Sequence, residues 1–561
     1  MGACSSHELE GLEKKLTSLP TPSEFEGAKV RLSHLVMIGD VTPSTAKVWV
    51  KVPISGKWEL KLQTKPFNID DSQLQDERMI FVKYLEAEVS LTFCFECDDL
   101  KENTTYFYSV SLQGATNVAL NSDKSCHFCT AKSNYDSISV AFFSCHDPFS
   151  GNNDFEPGAW HSMSKLADDL DLIIGGGDQI YLDSNEPGIT DFWVFLRDNQ
   201  NLFYDQFVDS KGSFREHDFR IYMVQIIRQY YLIYWNDQNM SHIFGRVPSY
   251  MIWNDHEIMD GWGSLTLKEK VEVLKLPSLK TGGIPIEDES LLANMVEISF
   301  QACAQVYNEF QHCRNPTAKK YLPIQDNPTG FAWDYSYNRG SQYQFYTLDM
   351  RGNHDCTAAS DRLLGRGQHE RMLQWLDTSI TKETEAIFIT SPVPFVHWSS
   401  IVELSVHFMK SLKDDLMDAW SHPSNHVERD KILAAFFYIS NLYSIPIVIL
   451  SGDVHCVSAY TLTDKKKFPN ARIINITSSA ITRKPCAAQA TNAFHAKGYM
   501  KTRENDGKGV SRLTNIHCEQ NFAKSGVNNF AVVKAERKSI SCTFHWVEKS
   551  RGKLKQSTVK F

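Results

Sequence analysis

Long apolar runs are missing from this chain. No segment offers the roughly 18 uninterrupted apolar residues that would predict a membrane-spanning helix, and the longest candidate, Phe436–Leu450, is interrupted by Ser, Asn and Pro. The N-terminus also lacks the apolar core of a secretory signal. We therefore expect a protein without a transmembrane helix that is not secreted.

The sequence has no excess of basic residues and no regular cysteine spacing. Its formal net charge is −9, which predicts no nucleic-acid-binding patch because such patches are basic. The 13 cysteines are odd in number and do not follow the spacing of a small disulfide scaffold. A reducing, intracellular compartment is expected. The 561 residues, 42% of them hydrophobic, predict a folded chain of more than one domain.

The first six residues fit the pattern for N-terminal myristoylation. Gly2 would become the terminal residue after removal of Met1, and Ser6 stands at the required position. Cys4 is a candidate for palmitoylation, and two acyl chains would hold the protein at a membrane surface. We expect residues 1–31 to be an N-terminal segment with a lipid anchor at the cytoplasmic face of a membrane. The alternative is a terminus that carries no lipid.

Residues 32–132 read as a domain of short strands. Apolar and polar residues alternate over Ala46–Val52, Trp58–Leu62 and Thr105–Leu112, which is typical of half-buried strands. This spacing predicts an all-β sandwich of immunoglobulin or fibronectin type III kind. Two CxxC pairs, Cys94/Cys97 and Cys126/Cys129, raise the alternative of a structural zinc. We prefer buried or surface thiols to a zinc site, because both pairs lie in stretches that are typical of strands and lack the Gly-containing turns of a zinc ribbon.

Residues 135–561 alternate strands with helices, which predicts an α/β domain. Polar or metal-ligating side chains follow five of its strands: Cys145 and Asp147, Asp178 and Tyr181, Asp255 and His256, Asp349 and Arg351, Asp453 and His455. Ligands collect at strand ends in such sheets. Carboxylates, a thiolate, a phenolate and imidazole suit Fe(III) with Ca, Mn or Zn. Because the ligands outnumber one ion's needs, we expect two metals that share a bridging carboxylate, with Asp178 as the favoured bridge.

Three of these strand ends carry a resemblance to a known family. Gly177–Tyr181 (GDQIY), Trp253–Glu257 (WNDHE) and Ser451–His455 (SGDVH) are similar to signatures of the PhoD-like alkaline phosphatases, within the calcineurin-like metallophosphoesterase superfamily. The similarity runs in order over about 140–480. It implies an αββα catalytic domain behind a β-sandwich domain, and a phosphoric ester hydrolase that uses a metal-bound hydroxide.

The resemblance also implies a role for each site residue. Cys145 and Tyr181 would hold Fe(III), and Asp178 would bridge to the second metal, which would be Ca or another divalent ion (Mn, Zn). Asp255, Asp453 and His455 would hold that second ion. His256 would assist the leaving group, and Arg351 would clamp phosphate oxygens.

Two positions and the function leave alternatives open. The family usually shows two aspartates where this chain has Asn254–Asp255, so either residue could be the ligand, with Asp255 preferred. The role of Asp147 is also open. The alternative function is an inactive phosphate-binding or scaffolding protein on a membrane anchor. An immunoglobulin-like adhesion module is disfavoured, because the chain lacks a signal peptide and paired cysteines.

Overall fold

The computed structural model describes residues 19–22, 35–66, 79–85, 91–114, 126–150, 158–275, 288–316, 332–358, 361–396, 417–486, 498–499, 516–548 and 553–561. The acylation predicted at Gly2 and Cys4 lies outside these residues and stays a prediction. Within the described residues, no helix has both the length and the apolarity needed to cross a bilayer.

The N-terminal region consists of two antiparallel sheets around one core. Its strands are β1 (Leu35–Val41), β2 (Ala46–Lys51), β3 (Gly56–Gln63), β4 (Met79–Leu85), β5 (Thr92–Cys97), β6 (Thr105–Leu112) and β7 (His127–Cys129). The sheet orders are β1-β2-β5 and β4-β3-β6-β7. Trp58, Leu60 and Leu62 all point into the shared core because side chains alternate along a strand. The named sandwich type and the boundaries 32–132 stay predictions.

Two larger sheets form the rest of the molecule. Their strands are β8 (Ser137–Phe143), β9 (Leu172–Gly175), β10 (Ser249–Met251), β11 (Tyr335–Arg339), β12 (Tyr343–Thr347), β13 (Ala386–Ser391), β14 (Pro446–Ser451), β15 (Val457–Asp464), β16 (Phe468–Ser478), β17 (Gly498–Tyr499), β18 (His517–Lys524), β19 (Asn528–Glu536), β20 (Ser539–Glu548) and β21 (Lys553–Lys560). The first sheet has the order β10-β9-β8-β19-β20-β21, and the second β11-β12-β13-β14-β16-β15-β18-β17. Strands β8 to β10 run parallel in the first sheet, and β12, β13, β14 and β16 run parallel in the second.

Helices cover the outer faces of both sheets. They are α1 (Ala159–Ser164), α2 (Phe192–Asp198), α3 (Gln200–Phe207), α4 (Glu216–Tyr234), α5 (Gln238–Phe244), α6 (Leu267–Leu274), α7 (Glu289–Phe310), α8 (Gly365–Ser379) and α9 (His426–Tyr443). One hydrophobic cluster fills the space between the sheets. A second packs α1 to α7 on the first sheet, and a third packs α8 and α9 on the second. The predicted α/β class is confirmed. The two sheets and the helices on their outer faces form four layers.

The N-terminal sheets are joined to the helical layer on the first sheet. The indole Nε1 of Trp49 donates a hydrogen bond to the carbonyl oxygen of Glu309 at 2.7 Å. The Lys47 ammonium donates to the carbonyl oxygen of Asn315 at 2.7 Å. The ring of Trp49 lies 5.5 Å from that of Phe310 and belongs to the same hydrophobic cluster as α4 and α7. This contact is therefore a buried apolar interface with hydrogen bonds at its edge.

Candidate metal centre

The predicted site residues lie just beyond the carboxyl ends of parallel strands. Cys145 follows β8, Asp178 follows β9, Asn254 and Asp255 follow β10, and Asp453 follows β14. Because parallel strands end at the same edge of a sheet, and the two sheets face each other, these side chains converge. The structure thus brings together the residues that the sequence analysis assigned to the strand ends.

Glycine makes this convergence sterically feasible at two positions. At Gly177, where φ is +110°, an added Cβ would lie 2.6 Å from Cβ of Asn254. At Gly452, an added Cβ would lie 2.4 Å from Oγ of Ser144. A side chain at either position would force the strand ends apart.

Four of the predicted ligand residues have left-handed backbone conformations. The φ values are +58° for Cys145, +56° for Asp178, +69° for Asp453 and +52° for His455. Non-glycine residues rarely adopt this region, and such strain concentrates at functional sites. The backbone therefore aims these four side chains at a local energetic cost.

The donor atoms contact one another directly. The Cys145 thiol donates to Oδ2 of Asp178 at 3.2 Å and accepts from Oγ of Ser479 at 3.0 Å. The phenolic oxygen of Tyr181 lies 3.3 Å from Nε2 of His455. Nδ2 of Asn254 donates to Oδ1 of Asp453 at 2.8 Å and lies 3.4 Å from Oδ2 of Asp178.

Burial perturbs the protonation of this cluster. Burial, together with the charges of Asp255 and Glu257, raises the pKa of Asp178 well above its ordinary value, although His256 opposes the shift. Burial and Asp255 raise the pKa of Asp453. Burial also raises the pKa values of the Cys145 thiol and the Tyr181 phenol. Anionic groups are thus crowded in a buried place, where a cation would stabilise their ionised forms.

The distances between ligand atoms and one unpaired carboxylate oxygen also fit a metal ion. Ligand atoms of Asp178, Asp255 and His256 lie within 4.8 Å of one another. Oδ1 of Asp178 is buried and has no hydrogen-bond partner among the described residues. Buried carboxylate oxygens are ordinarily hydrogen-bonded or bound to a cation. These residues therefore form an acidic cluster that could hold a metal ion.

Asn254 and Asp255 have different surroundings. The Asn254 amide lies between the carboxylates of Asp178 and Asp453, as described above. Oδ2 of Asp255 instead accepts from the backbone N–H of Gly261 at 2.9 Å, and its Oδ1 lies 3.2 Å from Nη2 of Arg351. Burial would raise the pKa of Asp255, but Arg351 and His256 outweigh it and lower that pKa. Ligand atoms of Asp255 also lie within 4.8 Å of those of Asp178 and His256, so Asn254 and Asp255 stay alternatives for the ligand, with Asp255 as the residue preferred from sequence.

Arg351 is fully engaged by protein groups. Its Nε donates to Oδ1 of Asn254 at 2.8 Å, and its Nη1 donates to the carbonyl oxygen of Trp262 at 3.1 Å and to Asp418. Its Nη2 faces Asp255, and its side chain is 1% exposed. The phosphate clamp predicted for Arg351 stays a prediction, and it would require one of these contacts to open.

His256 is held by a carboxylate that sequence reasoning missed. Its Nδ1 lies 2.8 Å from Oδ1 of Asp183, and its ring packs against that of Tyr181, with 4.1 Å between centroids and an angle of 33° between the ring planes. Burial would lower the pKa of His256, but Asp183 and Asp255 outweigh it and raise that pKa well above its ordinary value. Nε2 has no hydrogen-bond partner among the described residues. The imidazolium is therefore oriented at one nitrogen and available at the other.

Glu257 was also missed, although it belongs to a motif used in the sequence analysis. Its carboxylate accepts from the backbone N–H groups of Asp178, Gln179 and Asn254 at 2.8–3.0 Å. It thereby fixes the segment after β9 to the segment after β10. Its place in the WNDHE motif was the available signal.

The contacts of Asp147 include two residues outside the predicted ligands. Its Oδ2 accepts from Nη1 of Arg483 at 2.6 Å and from Oγ of Ser184 at 3.1 Å. The CxxC cysteines form no ligand group of their own. Among the described residues, the only set of donor atoms within 4.8 Å of one another is that of Asp178, Asp255 and His256. Cys94 instead lies 3.8 Å from Cys313, sulfur to sulfur.

In this layered α/β fold, metal-ligating side chains converge at the carboxyl ends of the strands. This arrangement defines a class of proteins that bind a metal at the strand ends. Comparison with known proteins agrees with this class. The chain belongs to the PhoD-like phosphatase family, whose model matches residues 140–523. Membership supports a metal-dependent phosphoesterase, that is, a phosphoric ester hydrolase.

Solved structures support the fold. The chain is similar to a structure described as that of PhoD, with a TM-score of 0.58 and 16% identity over 96% of this chain and 90% of the other. A β-glucuronidase 2 from Bacteroides uniformis reaches a TM-score of only 0.20 at 9% identity, over 94% of this chain and 60% of the other, and carries no argument. No curated protein matches this chain in sequence.

Proposed function

We propose that this protein hydrolyses phosphate esters at a two-metal site formed by the strand ends. The observation that carries the proposal is the contact network that joins the predicted ligands, with Asn254 and Ser479 as connecting residues: Cys145, Asp178, Tyr181, Asp453 and His455. Fold and family alone do not specify a reaction, whereas this donor set suits a metal-assisted displacement at phosphorus. The four-layer arrangement is proposed to correspond to the metallophosphoesterase αββα sandwich.

The donor chemistry divides the ligands between two ions. Cys145 and Tyr181 would hold Fe(III), and Asp178 would bridge. Asp453 and His455, together with Asp255 or its neighbour Asn254, would hold a divalent ion such as Ca, Mn or Zn. When bound, such ions supply water activation and stabilise the oxygens of the displacement.

His256 is proposed as the general acid. Its raised pKa favours the protonated ring, and Asp183 accepts the hydrogen bond from Nδ1. The proton on Nε2 can then pass to the leaving oxygen of the ester. Asp183 is a positioning residue, because it acts through His256.

Arg351 is proposed to hold the acidic cluster together. Its guanidinium joins the consecutive residues Asn254 and Asp255 to Asp418, which lies on a separate segment. Removing one partner of a buried charge network is strongly destabilising. In this role Arg351 keeps Asn254 oriented between the two carboxylates.

Metal content and hydrolysis measured on the same samples test the proposal. Wild-type protein and the Cys145→Ala variant are examined by elemental analysis and with p-nitrophenyl and bis-p-nitrophenyl phosphate. We expect iron plus a divalent ion in wild type, with less iron and lost activity in the variant. The ratio of monoester to diester hydrolysis would then define the substrate class.

A second buried cysteine provides the control. Cys303 is 1% exposed within α7, and among the described residues no hydrogen bond joins its thiol to a predicted ligand, so Cys303→Ala should retain both metals and activity. If wild type binds no stoichiometric metal and cleaves neither ester after metal is added back, the enzyme proposal fails. A non-catalytic phosphate-binding or scaffolding protein would then be favoured.

A further inference from the structure

Arg483 is a second arginine at this site, and its backbone is fixed to a predicted ligand. Its N–H donates to the carbonyl oxygen of Cys145 at 3.1 Å. Its own carbonyl accepts from Nδ2 of Asn528 at 2.8 Å. The side chain therefore starts from an anchored position beside Cys145.

The guanidinium of Arg483 lies at the rim of the cluster. Its carbon Cζ lies 4.8 Å from the ring centroid of Tyr181, which is within cation–π range. Nη1 donates to Oδ2 of Asp147 at 2.6 Å and lies 3.5 Å from Oε1 of Glu186. The side chain is 20% exposed, so solvent and solutes reach it.

Arg483 and Arg351 differ in how many of their guanidinium nitrogens already have a protein partner. Among the described residues, neither Nε nor Nη2 of Arg483 has a hydrogen-bond partner, since both of its ion pairs use Nη1. Arg351 has protein contacts on Nε, Nη1 and Nη2 and is 1% exposed. Of these two arginines, only Arg483 presents an unused pair of N–H groups in an accessible place.

We propose that Arg483 binds the phosphoryl oxygens of the substrate through Nε and Nη2, while Asp147 and Glu186 position its guanidinium through Nη1. The Nε–Nη2 edge of a guanidinium matches two phosphate oxygens in a bidentate geometry. The cation at the rim also raises the local concentration of anions. This inference rests on the proposed phosphoesterase function and names the residue that recognises the substrate's anionic group.

The test compares Arg483→Gln and Arg483→Lys with wild type. Binding of inorganic phosphate to metal-loaded protein is measured by calorimetry, with KM and kcat for p-nitrophenyl phosphate and metal content on the same samples. For Arg483→Gln we expect the phosphate Kd and KM to rise by about 10- to 100-fold, as for the loss of hydrogen bonds between charged groups. Changes in kcat should be smaller, and metal content should stay unchanged. Arg483→Lys should recover part of the affinity, because it keeps the charge without the fork.

Arg366→Gln is the matched control, since Arg366 lies exposed on α8 and forms an ion pair with the exposed Glu370. It should leave phosphate binding unchanged. An unaltered phosphate Kd in Arg483→Gln overturns the inference. If Arg483→Gln loses metal, the phosphate Kd is measured on metal-loaded Arg483→Lys instead. A Kd equal to that of wild type overturns the inference, and a higher Kd supports it. A wild type that binds no phosphate and cleaves no ester would instead refute the proposed function itself.

Discussion

At the scale of single residues, the His256–Asp183 pair carries the most direct consequence for catalysis. A general acid contributes about 10²- to 10⁴-fold to a rate, so His256→Asn should lower kcat by that order without loss of metal. Asp183→Asn should lower kcat less, because it removes only the group that orients Nδ1. Steady-state kinetics with elemental analysis would check both.

His369 offers a control for that prediction. Its Nδ1 lies 3.2 Å from Oδ1 of Asp361 on the α8 side of the second sheet, in a similar histidine–carboxylate pair. His369→Asn should leave kcat unchanged. Equal losses in the His369 and His256 variants would show that the effect is one of general destabilisation.

Glu257 acts on stability rather than on chemistry. In Glu257→Ala, three buried backbone N–H groups lose their acceptor, and each unsatisfied group costs about 1–3 kcal/mol. We expect the free energy of unfolding in urea to fall by about 3 kcal/mol or more. Glu272→Ala removes a half-exposed carboxylate paired with Lys275, and should cost less than about 1 kcal/mol.

At the scale of secondary structure elements, the turns after the parallel strands depend on glycine. Gly177→Ala adds a Cβ at φ +110° and 2.6 Å from Cβ of Asn254, which combines backbone strain with a steric clash. The two effects should together cost about 2–5 kcal/mol. Gly212 also has a positive φ, +81°, but no atom lies within 4 Å of an added Cβ.

Gly212→Ala therefore separates backbone strain from close approach. It should cost roughly 1 kcal/mol, clearly less than Gly177→Ala in urea unfolding. If the two variants were equally stable, the close contact between the β9 and β10 turns would have no energetic weight. Reduced metal content is expected for Gly177→Ala alone.

At the scale of the whole molecule, Trp49 links the N-terminal sheets to the helices on the first large sheet. Trp49→Ala removes a fully buried indole and its hydrogen bond to Glu309. Truncation of a buried aromatic residue costs about 3–5 kcal/mol. Urea unfolding should report that loss, whereas Ile54→Ala, at a 48% exposed position in the same region, should change stability by less than about 0.5 kcal/mol.

Metal removal should also affect the whole molecule. Ligands that bind only the folded state stabilise it by about 2.7 kcal/mol at a concentration 100 times Kd. A chelator should therefore lower the Tm of wild-type protein, and addition of the metals found by elemental analysis should restore it. Cys145→Ala should show a smaller shift, because it already lacks part of the ligand set. A chelator without effect on wild type would contradict a metal at this site.

Local patterns in the sequence determined the elements and the positions of the strand-end residues. Alternation over Thr105–Leu112 predicted a strand with the same bounds as β6, because burial on one sheet face depends on a local period of two. The residues after β8, β9 and β10 could be predicted to meet, because parallel strands of one sheet end at the same edge. The approach of the residues after β14, which belongs to the other sheet, depends on how the two sheets pack. Family motifs then indicated the reaction class.

Only the tertiary structure decided which polar groups compensate one another. The resemblance predicts that Arg351 clamps phosphate, and the fold places Asn254, Asp255 and Asp418 around its guanidinium. Arg483 carries no local signal, and its partner Asp147 is 336 positions away. Such pairs depend on how two sheets pack and on which charges are buried together, and neither is encoded in a local period. The sequence therefore determined where the chemistry would lie, and the packing decided which side chains are available to perform it.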